Sequence, residues 1–285
     1  MGERRKAGQN VPGNNGKFFP EDSNGNIIEG TYDTPVGEVR VKKLQKAKHY
    51  DVISMARAMN DNFAQRTKEL FEPEVEAVKE ATESGIYVSL RPNRPPHDDQ
   101  DCIRVNASGR CFCSHLLKEH TSFTKNRNVP CAKDNCKCKR FMYAPGRPEE
   151  FGEFWLRKRR DFDPKAYRMK CSCKHTHEEH ECYPSPYRCR AKGCGCSAFN
   201  SASVCAACDM HWQDHDTVFE TEQERKQAGR QIREDWLPFS ELPALRDIAV
   251  TGVDNPNVET LADALPPSMR DKLTQSKDRP ALPPR

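Results

Sequence analysis

Cysteine and histidine recur along this chain at intervals too regular for chance. The run Cys111-x-Cys113-x-His115-x4-His120 is followed by Cys131-x4-Cys136-x-Cys138-x2-Phe141. The whole pattern returns as Cys171-x-Cys173-x-His175-x4-His180 and then Cys189-x4-Cys194-x-Cys196-x2-Phe199. A shortened third copy, Cys205-x2-Cys208-x2-His211-x3-His215, keeps the step from second cysteine to last histidine. Only the connection between the halves changes length, so the chain reads as two and a half internal repeats. Thiolates and imidazoles at such short spacing suit Zn²⁺, which takes soft ligands at about 2.0–2.3 Å in a tetrahedron.

Taken together, these 18 residues would fill about four tetrahedral sites with two to spare. Which cysteines close which site is left open by spacing alone. Cys182 and His177 have no counterpart in the first repeat and are read as substitutes or bystanders, and Cys102 as lying outside the ligand set. A Cys2His2 finger is excluded at the third copy, because two residues between Cys208 and His211 leave no room for its hairpin and helix. His177-Glu178-Glu179-His180 lacks the H-E-x-x-H order of a metalloprotease. Pro130-Cys131 is not followed by the cysteine of a zinc deaminase. The ions are therefore expected to be structural, with no catalytic residue.

Something must organise the chain besides grease. Of 285 residues, 35% are hydrophobic and 31% charged, with 21 prolines and a mean hydropathy of -0.90. Such a composition buries too little apolar surface to offset chain entropy over its full length. The opening residues contain no apolar leader and no run is long enough to span a bilayer, so the expectation is a cytoplasmic protein with reduced thiols, no membrane and no structural disulfides. From Cys102 to His215 there are 21 Lys and Arg against 12 Asp and Glu. That segment stays mildly basic even after metal thiolates are counted.

Around the ligands, five stretches are expected. Residues 1–37 are a Gly-, Asn- and Pro-rich irregular arm with Phe18, Phe19, Ile27 and Ile28 as its only anchors. Residues 38–101 hold amphipathic helices, with Val52, Met55, Ala56, Met59, Phe63 and Leu70 near helical spacing. Pro73 is read as opening a second helix, Gly85 as its stop, and Ile86–Leu90 as extended, before a Pro-rich linker. Residues 102–215 carry the metal repeats, interrupted at 148–170 by an insertion with aromatic Phe151, Phe154 and Trp155 and basic Arg157, Lys158, Arg159 and Arg160. Those four basic residues are the candidate contact for an anionic partner. Residues 216–235 form a polar helix with Thr221 and Glu224 as a capping box, and 236–285 a Pro-rich tail. The fold class predicted is a small, irregular, metal-stabilised Cys/His-rich α+β region with flanking α-helices and disordered or extended termini.

Non-metal residues extend the pattern. Cys111-Phe112-Cys113-x-His115, Cys136-x-Cys138-x3-Met142-Tyr143-x-Pro145, Cys171-x-Cys173-Lys174-His175 and the closing His215-Asp216-Thr217-Val218-x-Glu220-Thr221-x-Gln223-Glu224-Arg225 resemble the family with sequence similarity 221. The resemblance covers roughly residues 102–230 and leaves the insertion and His211 peculiar to this chain. It implies no catalytic residues, and the family's occurrence in ciliated organisms implies a cytoskeletal or ciliary setting. The leading expectation is a non-catalytic, zinc-stabilised structural or adaptor protein on a protein assembly such as tubulin or axonemal microtubules, without a small-molecule substrate. The alternatives are a zinc-dependent nucleic-acid binder and, behind it, a ubiquitin-ligase-type zinc module.

Overall fold

Residues 5–6, 20–25, 28–34, 37–41, 51–60, 62–123, 127–255, 257–258, 260 and 263 are described by the computed structural model. Phe18, Phe19, Ile27 and the tail beyond residue 263 lie outside them. In the arm, strands β1 (Arg5–Lys6), β2 (Gly30–Thr34) and β3 (Gly37–Val41) form a three-stranded sheet, β2 pairing parallel with β1 and antiparallel with β3. The irregular-arm expectation is corrected there by regular pairing, and β3 occupies residues assigned to a helical stretch.

Helix α1 (Val52–Met59) starts where Asp51 accepts from the N–H groups of Ile53 and Ser54, a side-chain N-cap. Helix α2 (Phe63–Ser84) is continuous through Pro73, so the predicted break there is corrected. Proline removes one backbone donor, but Val75, Ala77, Val78 and Ala81 bury one face of α2 along its second half. Tertiary packing outweighs that local cost. The helix ends at Gly85, whose φ of 73° is the left-handed cap that glycine adopts without strain.

The chain then turns into β4 (Ile86–Pro92), the central strand of a second sheet in the order β5-β4-β6, with β5 at Ile103–Arg104 and β6 at His215–Thr221, both antiparallel to it. Every residue of β4 after Ile86 is buried, because each face is covered. Alternation sorts the side chains. Val88 and Leu90 join Cys102, Ile103, Cys111, Phe141, Cys205 and Phe219 in one core, whereas Tyr87 packs with Val78, Ala81 and Trp236 in another. Helix α3 (Glu222–Gln227) follows β6 through the Thr221–Glu224 capping box, and α4 (Pro243–Thr251) packs on α2.

Beneath the Tyr87 face lies a buried ionic network. Arg91 and Arg225, 5% and 2% exposed, both pair with Asp101 and Glu220 at 2.7–2.8 Å. Ser89 and the indole N–H of Trp236 donate to Asp101, each at 2.7 Å, and the Arg225 guanidinium lies over the rings of Tyr87 and Trp236. Burial alone would push the Asp101 carboxyl up, but Arg225 and Arg91 outweigh it and hold it well below the usual carboxylate range. The network ties β4, β6 and α3 to the segment around Trp236.

Candidate metal centre

Each cysteine-histidine unit is a tight knuckle built by backbone rules. The N–H of Cys111 bonds the carbonyl of His115 at 2.8 Å, and Cys171 bonds His175 and Cys205 bonds Met210 at the same distance. The residue after the second cysteine, Ser114, Lys174 or Asp209, takes a positive φ to close the turn. A one-turn 3-10 helix follows, Leu117–Glu119, His177–Glu179 or Trp212–Asp214, and presents the last histidine. The carboxylates of Glu119 and Glu179 hold its first N–H groups in the two full repeats.

The last histidine of every knuckle is oriented in one way. Nδ1 of His120, His180 and His215 lies 2.8 Å from the carbonyl oxygen of Leu116, Thr176 and His211 respectively. With that nitrogen donating to a carbonyl, Nε2 keeps its lone pair and is the atom free to bind a metal. Phe141 and Phe199 pack perpendicular to the rings of His120 and His180 at separations of 5.0 Å, which gives the x2-Phe element of the repeat its structural task.

Five groups of four ligand atoms result among the described residues, the atoms of each within 4.8 Å of one another. The first repeat brings together Cys111, Cys113, His120 and Cys138, and also Cys113, His115, Cys131 and Cys136. The second brings together Cys171, Cys173, His180 and Cys196, and also Cys173, His175, Cys189 and Cys194. The fifth consists of Cys102, Cys205, Cys208 and His215. Separations between donor atoms are matched from repeat to repeat: Cys111–Cys138 and Cys171–Cys196 at 3.8 Å, and Cys113–His120 and Cys173–His180 at 3.6 Å. Any of these groups could hold a metal ion. Backbone N–H groups of Met142 and Asn200 point at the sulfurs of Cys111 and Cys171 at 3.4 and 3.3 Å, as donors to a thiolate do.

Two assignments from the sequence change. His211, counted there as a ligand, is exposed and belongs to none of the groups; it sits at the N-cap of its 3-10 turn and contributes only its carbonyl. Cys102, left out of the ligand set, completes the fifth group. Its N–H bonds the carbonyl of Leu90 at 2.9 Å, so the edge of β4 carries it beside His215, the first residue of β6. The hydrogen bond with Cys205, then burial, pushes the Cys102 thiol up, while the same contact draws Cys205 down to about 4. Thiols so placed share protons and ionise together only around a cation.

His177 stands where the first repeat has Leu117. Buried against Phe112 and lowered to about 4 by that burial, it packs as a neutral ring. Cys182 lies beside Cys136 and Cys138 without joining either group. In the insertion the basic run is partly matched. Arg157 pairs with Glu149 and Arg159 with Asp161, while Phe154 and Trp155 are exposed. The side chain of Lys158 lies outside the described set.

The knuckles are welded by aromatics. Phe112 of the first stacks on Trp212 of the third at 4.9 Å and meets Phe199 and Tyr187 of the second at 5.0 and 4.6 Å. The Trp212 indole N–H donates to the Tyr143 carbonyl at 2.7 Å.

The sequence profile of the family described as Protein FAM221A/B matches residues 58–153 and 161–257. The chain belongs to the FAM221 family. Protein FAM221B of rat is 45% identical over 185 residues, which is 65% of this chain and 36% of that protein. Protein FAM221B of human is 43% identical, over 65% and 45% of the two chains. Protein FAM221A of Xenopus laevis is 31% identical, over 57% and 49%. The FAM221 match thus spans a third to a half of the length of these curated relatives. Residues 154–160 of the insertion, which include the exposed Phe154 and Trp155, fall between the two matched segments. No solved structure matches the chain. Among the described residues no helix is long and apolar enough to cross a membrane.

Proposed function

We propose that this FAM221 chain is a non-catalytic, zinc-stabilised scaffold or adaptor, its ions serving to fold a surface rather than to perform chemistry. The observation that supports this reading is the closed character of the groups. Four protein donors around each centre complete a tetrahedron and leave no position for water or substrate. Zinc is favoured over other ions by the all-thiolate-and-imidazole donor set. A zinc tetrahedron with the usual bond lengths has edges of ~3.8 Å between sulfurs and ~3.6 Å between sulfur and nitrogen. Observed edges of 3.8 and 3.6 Å agree with those lengths. A cross-braced ligase module is disfavoured, because the two groups of each full repeat share a cysteine, Cys113 or Cys173, instead of using separate ligand pairs.

The partner we propose is a protein assembly with an acidic, repetitive surface, such as the microtubule wall of a cilium. The basic balance of the segment from Cys102 to His215 supports it. Because Arg157 and Arg159 are already paired, the contact is distributed over the basic residues of the repeats rather than focused on the insertion. Tagging the chain in ciliated cells and extracting axonemes with detergent, then with graded salt, tests the proposal. Retention after detergent and release over a graded salt range are expected. Recovery wholly in the cytosol or nucleus refutes the partner, and recovery with RNA would turn the reading toward nucleic acid.

A further inference from the structure

We infer that each full repeat holds a binuclear zinc centre bridged by one thiolate, Cys113 in the first and Cys173 in the second, so that the chain carries five ions. This rests on the zinc reading above and sharpens it. Cys113 Sγ stands 3.5 Å from His115 Nδ1 and 3.6 Å from His120 Nε2. Those two imidazoles belong to different groups, and one sulfur serves both as an edge of ordinary tetrahedral length. Cys173 is shared in the same way between the group of His180 and the group of His175. The inner groups, those of His115 and His175, also close on their own histidines, with Cys131 3.4 Å from His115 and Cys189 3.6 Å from His175, while the groups of Cys111 and Cys171 are the outer ones.

Charge favours sharing. Seven donors, five of them thiolates, leave a bridged pair of dications at about -1, whereas two unshared Cys3His tetrahedra would total about -2 and need an eighth ligand. The bridging sulfur lies between two cations, where a second lone pair is best used. With a single ion per repeat, three ligand atoms would be packed against one another with nothing to hold them there.

The third knuckle supplies the control within the same chain. Its first cysteine makes the same backbone bond across the turn, one residue longer, and Met210 accepts it in the place of His115 and His175. The Cys-x4-Cys-x-Cys segment, whose first two cysteines complete the group of His115 or His175, is absent from this copy, and Cys102 takes the place of its third. Cys208 is accordingly in one group and not two. A knuckle with Cys-x-Cys-x-His thus holds the shared centre, and the knuckle with methionine at that place holds a single ion.

The test is native mass spectrometry of the full chain purified with zinc, together with ¹¹³Cd NMR of the cadmium-exchanged protein. Five ions are expected, with four cadmium resonances coupled in two pairs through sulfur and a fifth uncoupled. His115→Met, which copies the third knuckle, should remove one ion and the coupling of one pair. Cys113→Ala should disturb both centres of its repeat, while Cys111→Ala disturbs the outer one. Three or four ions, or five without coupling, overturns the bridge and leaves the scaffold reading standing. A folded chain that binds no metal overturns both.

Discussion

Trp212 is the side chain on which the three knuckles converge, and its removal measures how far they act as one body. It is 2% exposed, stacks on Phe112, packs perpendicular to Phe199 at 5.4 Å and donates to the Tyr143 carbonyl. Truncating a buried tryptophan to alanine costs about 3–5 kcal/mol in transfer and cavity energy. The abandoned Tyr143 carbonyl pushes the loss toward the upper end, since an unsatisfied buried acceptor costs ~1–3 kcal/mol by itself. With a urea slope of about 2 kcal/mol per molar, the midpoint should fall by roughly 2 M. Urea titration followed by circular dichroism, at a fixed buffered zinc concentration, gives the number. Trp155→Ala is the matched control: at 60% exposure it should shift stability by no more than about 0.5 kcal/mol. Equal losses for the two variants would refute the idea that aromatic packing joins the repeats.

Three further outcomes are expected. Cys102→Ala should lower the metal content by one ion and leave the two full repeats loaded, read by native mass spectrometry; an unchanged count would remove Cys102 from the ligand set. Chelation at neutral pH should abolish the protease resistance of residues 102–215, and zinc should restore it without an oxidant, because all 14 cysteines are free thiols and structural sites supply ~10–16 kcal/mol each. Arg225→Met should cost about 3–5 kcal/mol by leaving Asp101 and Glu220 short of a buried counter-charge. Arg159→Met, at an exposed pair, should cost under about 1 kcal/mol, and comparable losses in the two would contradict the buried network.

The residues of the Cys/His groups were legible because metal chemistry favours short, fixed spacings, and a duplicated spacing announces itself. Their pairing was not. Cys113 belongs to two groups because of where the turn at Ser114 points its sulfur, and spacing is silent on direction. Cys102 was hidden by distance along the chain: β4 and β6, not sequence proximity, carry it to Cys205. His211 misled because its three-residue gap to His215 imitates a ligand pair. Setting Met210, instead of His211, opposite His115 requires counting the extra residue between Cys205 and Cys208, a signal that was present in the sequence. Strand β6 was misread as part of a polar helix over 216–235: His215, Thr217 and Phe219 alternate inward, but His215 and Thr217 are themselves polar and hide the pattern. Pro73 shows the converse case, where a sound local rule yields to packing of α2 on β4.

An ion held by Cys102 and His215, as proposed above, would turn a linear array into a clasped one. With its ion bound, the fifth group would join the two ends of the repeat region, and everything between them would be a closed circuit fastened beside β4. A cross-link closing about 100 residues removes ~4.7 kcal/mol of chain entropy from the unfolded state in the simplest treatment. It also frees the circuit from dependence on its own continuity. A protease that cuts the exposed Phe154–Trp155 stretch, between the two segments matched by the family, would leave two fragments held by sheet, aromatic junction and metal. They would come apart only when the clasp is opened by a chelator or the sheet is melted.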